Sequence, residues 1–181
     1  MPRIQPLDPA KATGAAKRLL EDVQERWGMI PNMVRTMAKA PAVLEGYLSA
    51  HTALNNGVLP ARLREQIAMT VAEANNSHYC LSAHAAIGKT LGLSADVILD
   101  SRRGTSPDTK TEAVLRFARE LVENRGWVGD GDIYQLRRAG YGDQEIVEII
   151  AHVALSMFTN YFNHVVNTEL DFPAAAELAR A

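Results

Sequence analysis

The chain has 181 residues, a formal net charge of −2, 47 % hydrophobic and 22 % charged residues. This is a globular composition, long enough for a single domain over residues 1–181 with a sizeable core. No charge run marks a nucleic-acid or membrane surface, no apolar run approaches spanning length, and Met1–Pro6 has no apolar signal core. The expectation is a cytoplasmic protein with neither nucleic-acid nor membrane partners. A single cysteine excludes an intrachain disulfide and a cysteine-based zinc site. The histidines lack metal-pair spacing, so neither a metal nor another cofactor is expected.

The elements read as helices throughout. Leu7 to Trp27 carries a helical apolar pattern, with Asp8-Pro9 as cap and first position and Gly28 as stop. A short helix is predicted over Asn32–Lys39 and a longer one over Ala42–Asn55. Leu59-Pro60 opens the next, which holds Glu65. Asn75-Asn76 breaks it, because asparagine competes with helix through its own backbone. Ser77, a favoured cap, starts a further helix that ends near Leu91 at Gly92. Ser94 caps Ala95–Asp100, and Ser101–Asp108 reads as loop. Thr111–Asn124 is amphipathic, and Asp130 or Asp132 opens Ile133–Ala139. Asp143 caps the last helix, Gln144 to about Asn167, which is apolar around much of its circumference. No run holds the strand period of two for long. The fold class is therefore all-α.

The chemistry-bearing stretch is Glu65 to His84. Cys80 falls in the first turn after Ser77, where exposed backbone N–H groups favour the reactive thiolate. His84 follows by four residues on the same face and is placed to accept the thiol proton, directly or through a water. For an isolated Cys-x3-His pair the bland alternative is a small buried cysteine beside a satisfied histidine. Glu65 is not brought near by spacing. On a straight helix it would lie about 18 Å from residue 77 at about 1.5 Å per residue, so only a bend or a partner helix unites them. Its alternative role is a solvated charge paired with Arg62 or Arg64.

The pattern Glu65-x11-Ser77-x2-Cys80-x3-His84 resembles the Glu-x11-Cys-x2-Cys-x3-His signature of alkylhydroperoxidase D-like proteins, within the carboxymuconolactone decarboxylase family. Pro31-Asn32, Asn160-Tyr161-Phe162-Asn163-His164 and Asp171-Phe172-Pro173 resemble its peroxidase-related branch. The resemblance implies an all-α fold and a peroxide-attacking Cys80. It further implies His84 as proton acceptor, Glu65 in the relay, and a homo-oligomer. Ser77 stands where the family usually has its first cysteine. A Cys80 oxidised by a small hydroperoxide would then need an external thiol reductant. The alternatives are a carboxymuconolactone decarboxylase-like reaction or a non-catalytic, oxidant-sensing oligomer.

Four further residues carry accessory readings. His78 is expected to be exposed and to shape the cysteine environment, and Tyr79 either lines the access path or packs. Asn160 and His164 share a helix face, as substrate or relay groups near Cys80 or as a polar cluster at a helix end. His51 and His152 read as core histidines, Trp27 and Trp127 as packing or interface residues.

Overall fold

The computed structural model describes residues 1–176 and 178. All regular structure among them is helical. After a 3-10 turn at Pro9–Lys11 come α1 (Gly14–Trp27), α2 (Asn32–Met37), α3 (Pro41–Asn55), α4 (Ala61–Ala74) and α5 (His78–Thr90). The chain continues through α6 (Ala95–Arg103), α7 (Thr109–Glu123), α8 (Asp130–Arg138) and α9 (Asp143–Val166). No helix among the described residues is long and apolar enough to cross a membrane.

The hub is α4. It packs on α5, α6, α7 and α9, and an unbroken run from Gln66 to Ala72 is buried. A helix enclosed on most sides keeps its charges near its ends: Arg62, Arg64 and Glu65 precede the buried run and Glu73 follows it. Two larger cores flank it. Leu20, Val23, Val34, Met37, Leu44 and Cys80 share one; Ile67, Val71, Val114, Leu115, Leu136 and Ile149 share the other.

Local chemistry sets the breaks, with some departures from the periodicity. Asp8 caps the 3-10 turn, donated to by the Ala10 N–H at 3.0 Å, and α1 starts only at Gly14. Gly28 ends α1 in the left-handed region at φ 73°, a conformation glycine takes without steric cost. Ser94 caps α6 as expected, accepting from Val97 N at 3.3 Å. That helix runs on through Ser101–Arg103, because the Ser101 hydroxyl bonds the Val97 carbonyl at 2.7 Å and its side chain is buried. At α9 the cap is Gly142 rather than Asp143: its N–H donates to the Glu145 carboxylate at 2.8 Å.

The turn between α4 and α5 decides the site. Asn76 adopts φ 54°, which asparagine tolerates better than most residues. The chain reverses there and lays α5 back along α4.

Candidate active site

That reversal brings Glu65 to His84. Glu65 Oε2 lies 2.8 Å from His84 Nδ1, although 18 intervening residues separate them in sequence. Both side chains are largely withdrawn from solvent, 17 % and 25 % exposed. The partner-helix route, not a bend, unites the pair, and neither Arg62 nor Arg64 takes the Glu65 carboxylate. Burial alone would lower the His84 pKa, but the charge of Glu65 and its hydrogen bond raise it above the ordinary imidazole value.

Cys80 is buried and free. Its sulfur accepts a hydrogen bond from Asn163 Nδ2 at 3.2 Å, and Thr159 Oγ1 stands 3.9 Å away. The Thr168 hydroxyl donates to Asn163 Oδ1 at 2.7 Å, which fixes the amide with its NH2 toward the sulfurs of Cys80 and Met33. No hydrogen bond joins Cys80 to His84. Sharing a helix face put them one turn apart, but His84 turns its Nδ1 to Glu65 instead.

Between α3, α4 and α9 lies a chamber of about 50 Å³ lined by Tyr47, His51, Arg64, Glu65, His84 and His152, with Thr159 in its wall. Thr159 thus touches both the Cys80 sulfur and the space that Glu65 and His84 face. Burial, helped by the charges of Cys80 and Glu65, drives the Tyr47 phenol far above its usual range, so Tyr47 stays a neutral donor. The His51 and His152 pKa values are lowered, in both cases chiefly by burial, then by His84 for His51 and by Arg64 for His152. His152 Nε2 is buried without a hydrogen-bond partner. Reading His51 and His152 as core histidines missed this chamber. Their i, i+4 relations to Tyr47 and Ser156 were the available signal, but two separate helices had to converge. No group of His, Cys, Asp and Glu among the described residues is arranged to hold a metal ion.

The remaining sequence candidates lie around the Cys80 helix rather than in the chamber. Ser77 occupies the cap position of α5, yet its side chain makes no capping bond, and its hydroxyl is buried without a partner. The Tyr79 hydroxyl donates to Asp171 Oδ2 at 2.6 Å, and Asp171 also receives Asn32 N–H at 2.8 Å. Phe172 packs edge-on to the Tyr79 ring, 6.1 Å away. Tyr79 therefore packs, and it clips the segment after α9 onto the start of α2, whose Met33 meets the Asn163 amide. His78 is exposed beside a separate cleft of about 540 Å³ that includes Arg102 and Arg119 but none of Cys80, Glu65 and His84. Asn160 accepts from Asn75 Nδ2 at 3.0 Å, and His164 Nε2 lies 3.3 Å from the Asn76 carbonyl. Both contacts tie α9 to the α4–α5 turn that precedes the Cys80 helix.

The chamber histidines set a pH signature. A lowered histidine contributes stability that is present above the unfolded value of about 6.5 and lost as pH falls through its folded value. His84, being raised, contributes below about 6.5 and loses that contribution as pH rises. The raised group's contribution changes only above about 6.5, so below it the two lowered groups set the slope. The urea midpoint is therefore expected to fall between about pH 6.5 and about pH 5, with a shallower fall in His152→Gln. A midpoint that rises on acidification contradicts this assignment.

Residues 40–124 match the sequence profile of the carboxymuconolactone decarboxylase family. Over this segment the chain is similar to that family. The segment spans α3 to α7 and supplies Glu65, Cys80 and His84, while Thr159, Asn163 and His152 come from α9 beyond it. Solved structures share the whole fold. The alkylhydroperoxidase AhpD core of Ralstonia eutropha JMP134, an uncharacterized peroxidase-related protein, is 24 % identical with a TM-score of 0.83, covering 94 % of this chain and 92 % of that one. An uncharacterized peroxidase-related protein from Silicibacter sp. TM1040 is 23 % identical, TM-score 0.80, covering 92 % of each. A cysteine-to-alanine variant of the debrominase Bmp8, in complex with 2,3,4-tribromopyrrole, is 21 % identical, TM-score 0.80, covering 93 % and 91 %. These likenesses establish the alkylhydroperoxidase D-like fold. No curated protein matches the chain.

Proposed function

We propose that this protein reduces small hydroperoxides through Cys80, with an external thiol as reductant. The observation that carries the reading is the position of Thr159, which joins the Asn163-bonded sulfur to the chamber holding Glu65 and His84. The thiol proton passes toward the chamber, and the thiolate attacks the distal peroxide oxygen. The O–O bond breaks, Cys80 becomes sulfenic acid, and the leaving alkoxide takes a proton from the chamber groups. One external thiol then forms a mixed disulfide with release of water. A second releases Cys80 as thiol and leaves as the external disulfide.

Chamber size supports a compact substrate. One water needs about 10–15 Å³ by this measure, so about 50 Å³ admits a few heavy atoms and favours a small hydroperoxide over a polyhalogenated ring. The cytoplasmic setting expected from the sequence would supply the thiol. Intact mass after one equivalent of hydrogen peroxide tests the reading: Cys80 should gain one oxygen atom and lose it again on adding a thiol. Protein that stays unmodified under those conditions refutes it.

Ser77 accounts for the external reductant. Residues three apart across a helix start lie within disulfide reach. Ser77→Cys is therefore expected to close a disulfide with Cys80 after peroxide, leaving no free thiol, and to turn over faster with dithiols. Two free thiols after oxidation count against this geometry.

A further inference from the structure

An alkoxide is a poor leaving group until it takes a proton, so peroxide reduction at Cys80 needs an acid beside the departing oxygen. The Glu65–His84 pair has the other task, receiving the thiol proton. Most other chamber groups have their protons committed or stand apart from the sulfur. Thr159 Oγ1 lies 3.9 Å from the Cys80 sulfur, but its own proton goes to the Ser156 carbonyl at 3.0 Å. Arg64 Nη1 donates to the Leu59 carbonyl. His51 and His152 are held neutral at neutral pH chiefly by burial. The charges acting on them are those of Glu65, Arg64 and nearby His or Glu residues, not that of Cys80.

Tyr47 of α3 differs on each count. Its ring packs on the core cluster that contains Cys80, and it lines the chamber with Glu65, His84 and Thr159. Phe158 stacks on that ring at 6.4 Å and His51 lies 5.7 Å from it, so the phenol is held in one place. Burial first, then the negative charges of Cys80 and Glu65, keep it protonated, and no hydrogen bond contributes. Packing alone accounts for the ring and not for the hydroxyl. Withdrawing a hydroxyl from water without a partner costs free energy that phenylalanine would avoid. A phenol held back from ionising still yields its proton to an alkoxide, which is the stronger base.

We infer that Tyr47 is the general acid of this reaction, its hydroxyl protonating the peroxide oxygen that departs as the Cys80 sulfur attacks. The assignment rests on the peroxidase reading above. The sulfur–oxygen bond forms as the O–O bond breaks, and the electron pair of the broken bond goes to the departing oxygen. Tyr47 gives that oxygen its proton, and an alcohol or water leaves. The phenolate then recovers the proton that Cys80 released to the Glu65–His84 pair. Sulfur is oxidised, the peroxide is reduced, and every chamber group ends in its starting state. The contribution of Tyr47 therefore scales with how badly the leaving group needs a proton.

Two peroxides of similar size separate this role from a structural one. Ethyl hydroperoxide expels ethoxide, which needs the acid; peracetic acid expels acetate, which does not. Oxidation of Cys80 is timed by quenched-flow and intact mass for wild type and Tyr47→Phe. The variant should react about 10²-fold more slowly with ethyl hydroperoxide and lose far less with peracetic acid. If circular dichroism shows that variant unfolded, Tyr47→Met takes its place. Equal slowing with both peroxides makes Tyr47 a packing residue, and no slowing with either removes it from the chemistry. Each of these overturns the inference while leaving the peroxidase reading intact. A wild type that neither peroxide oxidises overturns both.

Discussion

Glu65→Gln is expected to slow oxidation of Cys80 by peroxide about 10²- to 10⁴-fold, the range typical of a lost acid–base group. Glutamine keeps the shape and can still bond His84 Nδ1, but it carries no charge. Burial then acts on His84 unopposed, and its pKa should fall below the ordinary imidazole value instead of lying above it. The rate profile against pH should move acidward with it. His84→Ala should cost a similar factor, and the double variant little more, because the two residues act as one unit. A Glu65→Gln protein of normal rate and normal profile would reduce the pair to a structural tie between α4 and α5.

Asn163→Leu is expected to slow the same step about 10- to 100-fold, since a hydrogen bond to a charged group contributes about 1.5–3 kcal/mol. Asn163 Nδ2 is the donor aimed at the Cys80 sulfur. Leucine keeps the branching of the side chain without its polar atoms and leaves Thr168 without its acceptor. A stability loss of about 1–3 kcal/mol should accompany the slower rate. Asn163→Asp should be slower still, because it sets a carboxylate against the forming thiolate. Alkylation of Cys80 by iodoacetamide, followed alongside peroxide consumption, separates loss of thiolate reactivity from unfolding. Unchanged alkylation in folded Asn163→Leu would remove the amide from the account.

The helices and their breaks were legible because short-range chemistry sets them. Asn75-Asn76 ended α4, Gly28 and Gly92 ended their helices in left-handed turns, and Ser94 capped α6. Cys80 and His84 were legible as a pair through their shared helix face. What the pair does was not, because that depends on residues far away in sequence. Asn163, 83 residues from Cys80, holds the sulfur, and Glu65 reaches His84 only after the turn at Asn76 folds α5 back. The family pattern named Glu65, while periodicity alone gave it a solvated face. His51 and His152 looked like core positions for the opposite reason: each is apolar in local context, and only the meeting of α3 with α9 makes them neighbours. Ser77 shows the limit of propensity. It stands at the predicted cap position, but its side chain makes no capping bond and its hydroxyl is buried without a partner.

Steady-state turnover tests the central claim most directly. A trace of protein is mixed with excess hydrogen peroxide and a thiol, and peroxide loss is followed for wild type and Cys80→Ser. The wild type should consume many equivalents of peroxide per chain, one disulfide forming per peroxide, and Cys80→Ser should fall to the uncatalysed rate. Equal turnover by the two proteins, or a wild type that consumes one equivalent and stops despite the thiol, would contradict a catalytic Cys80.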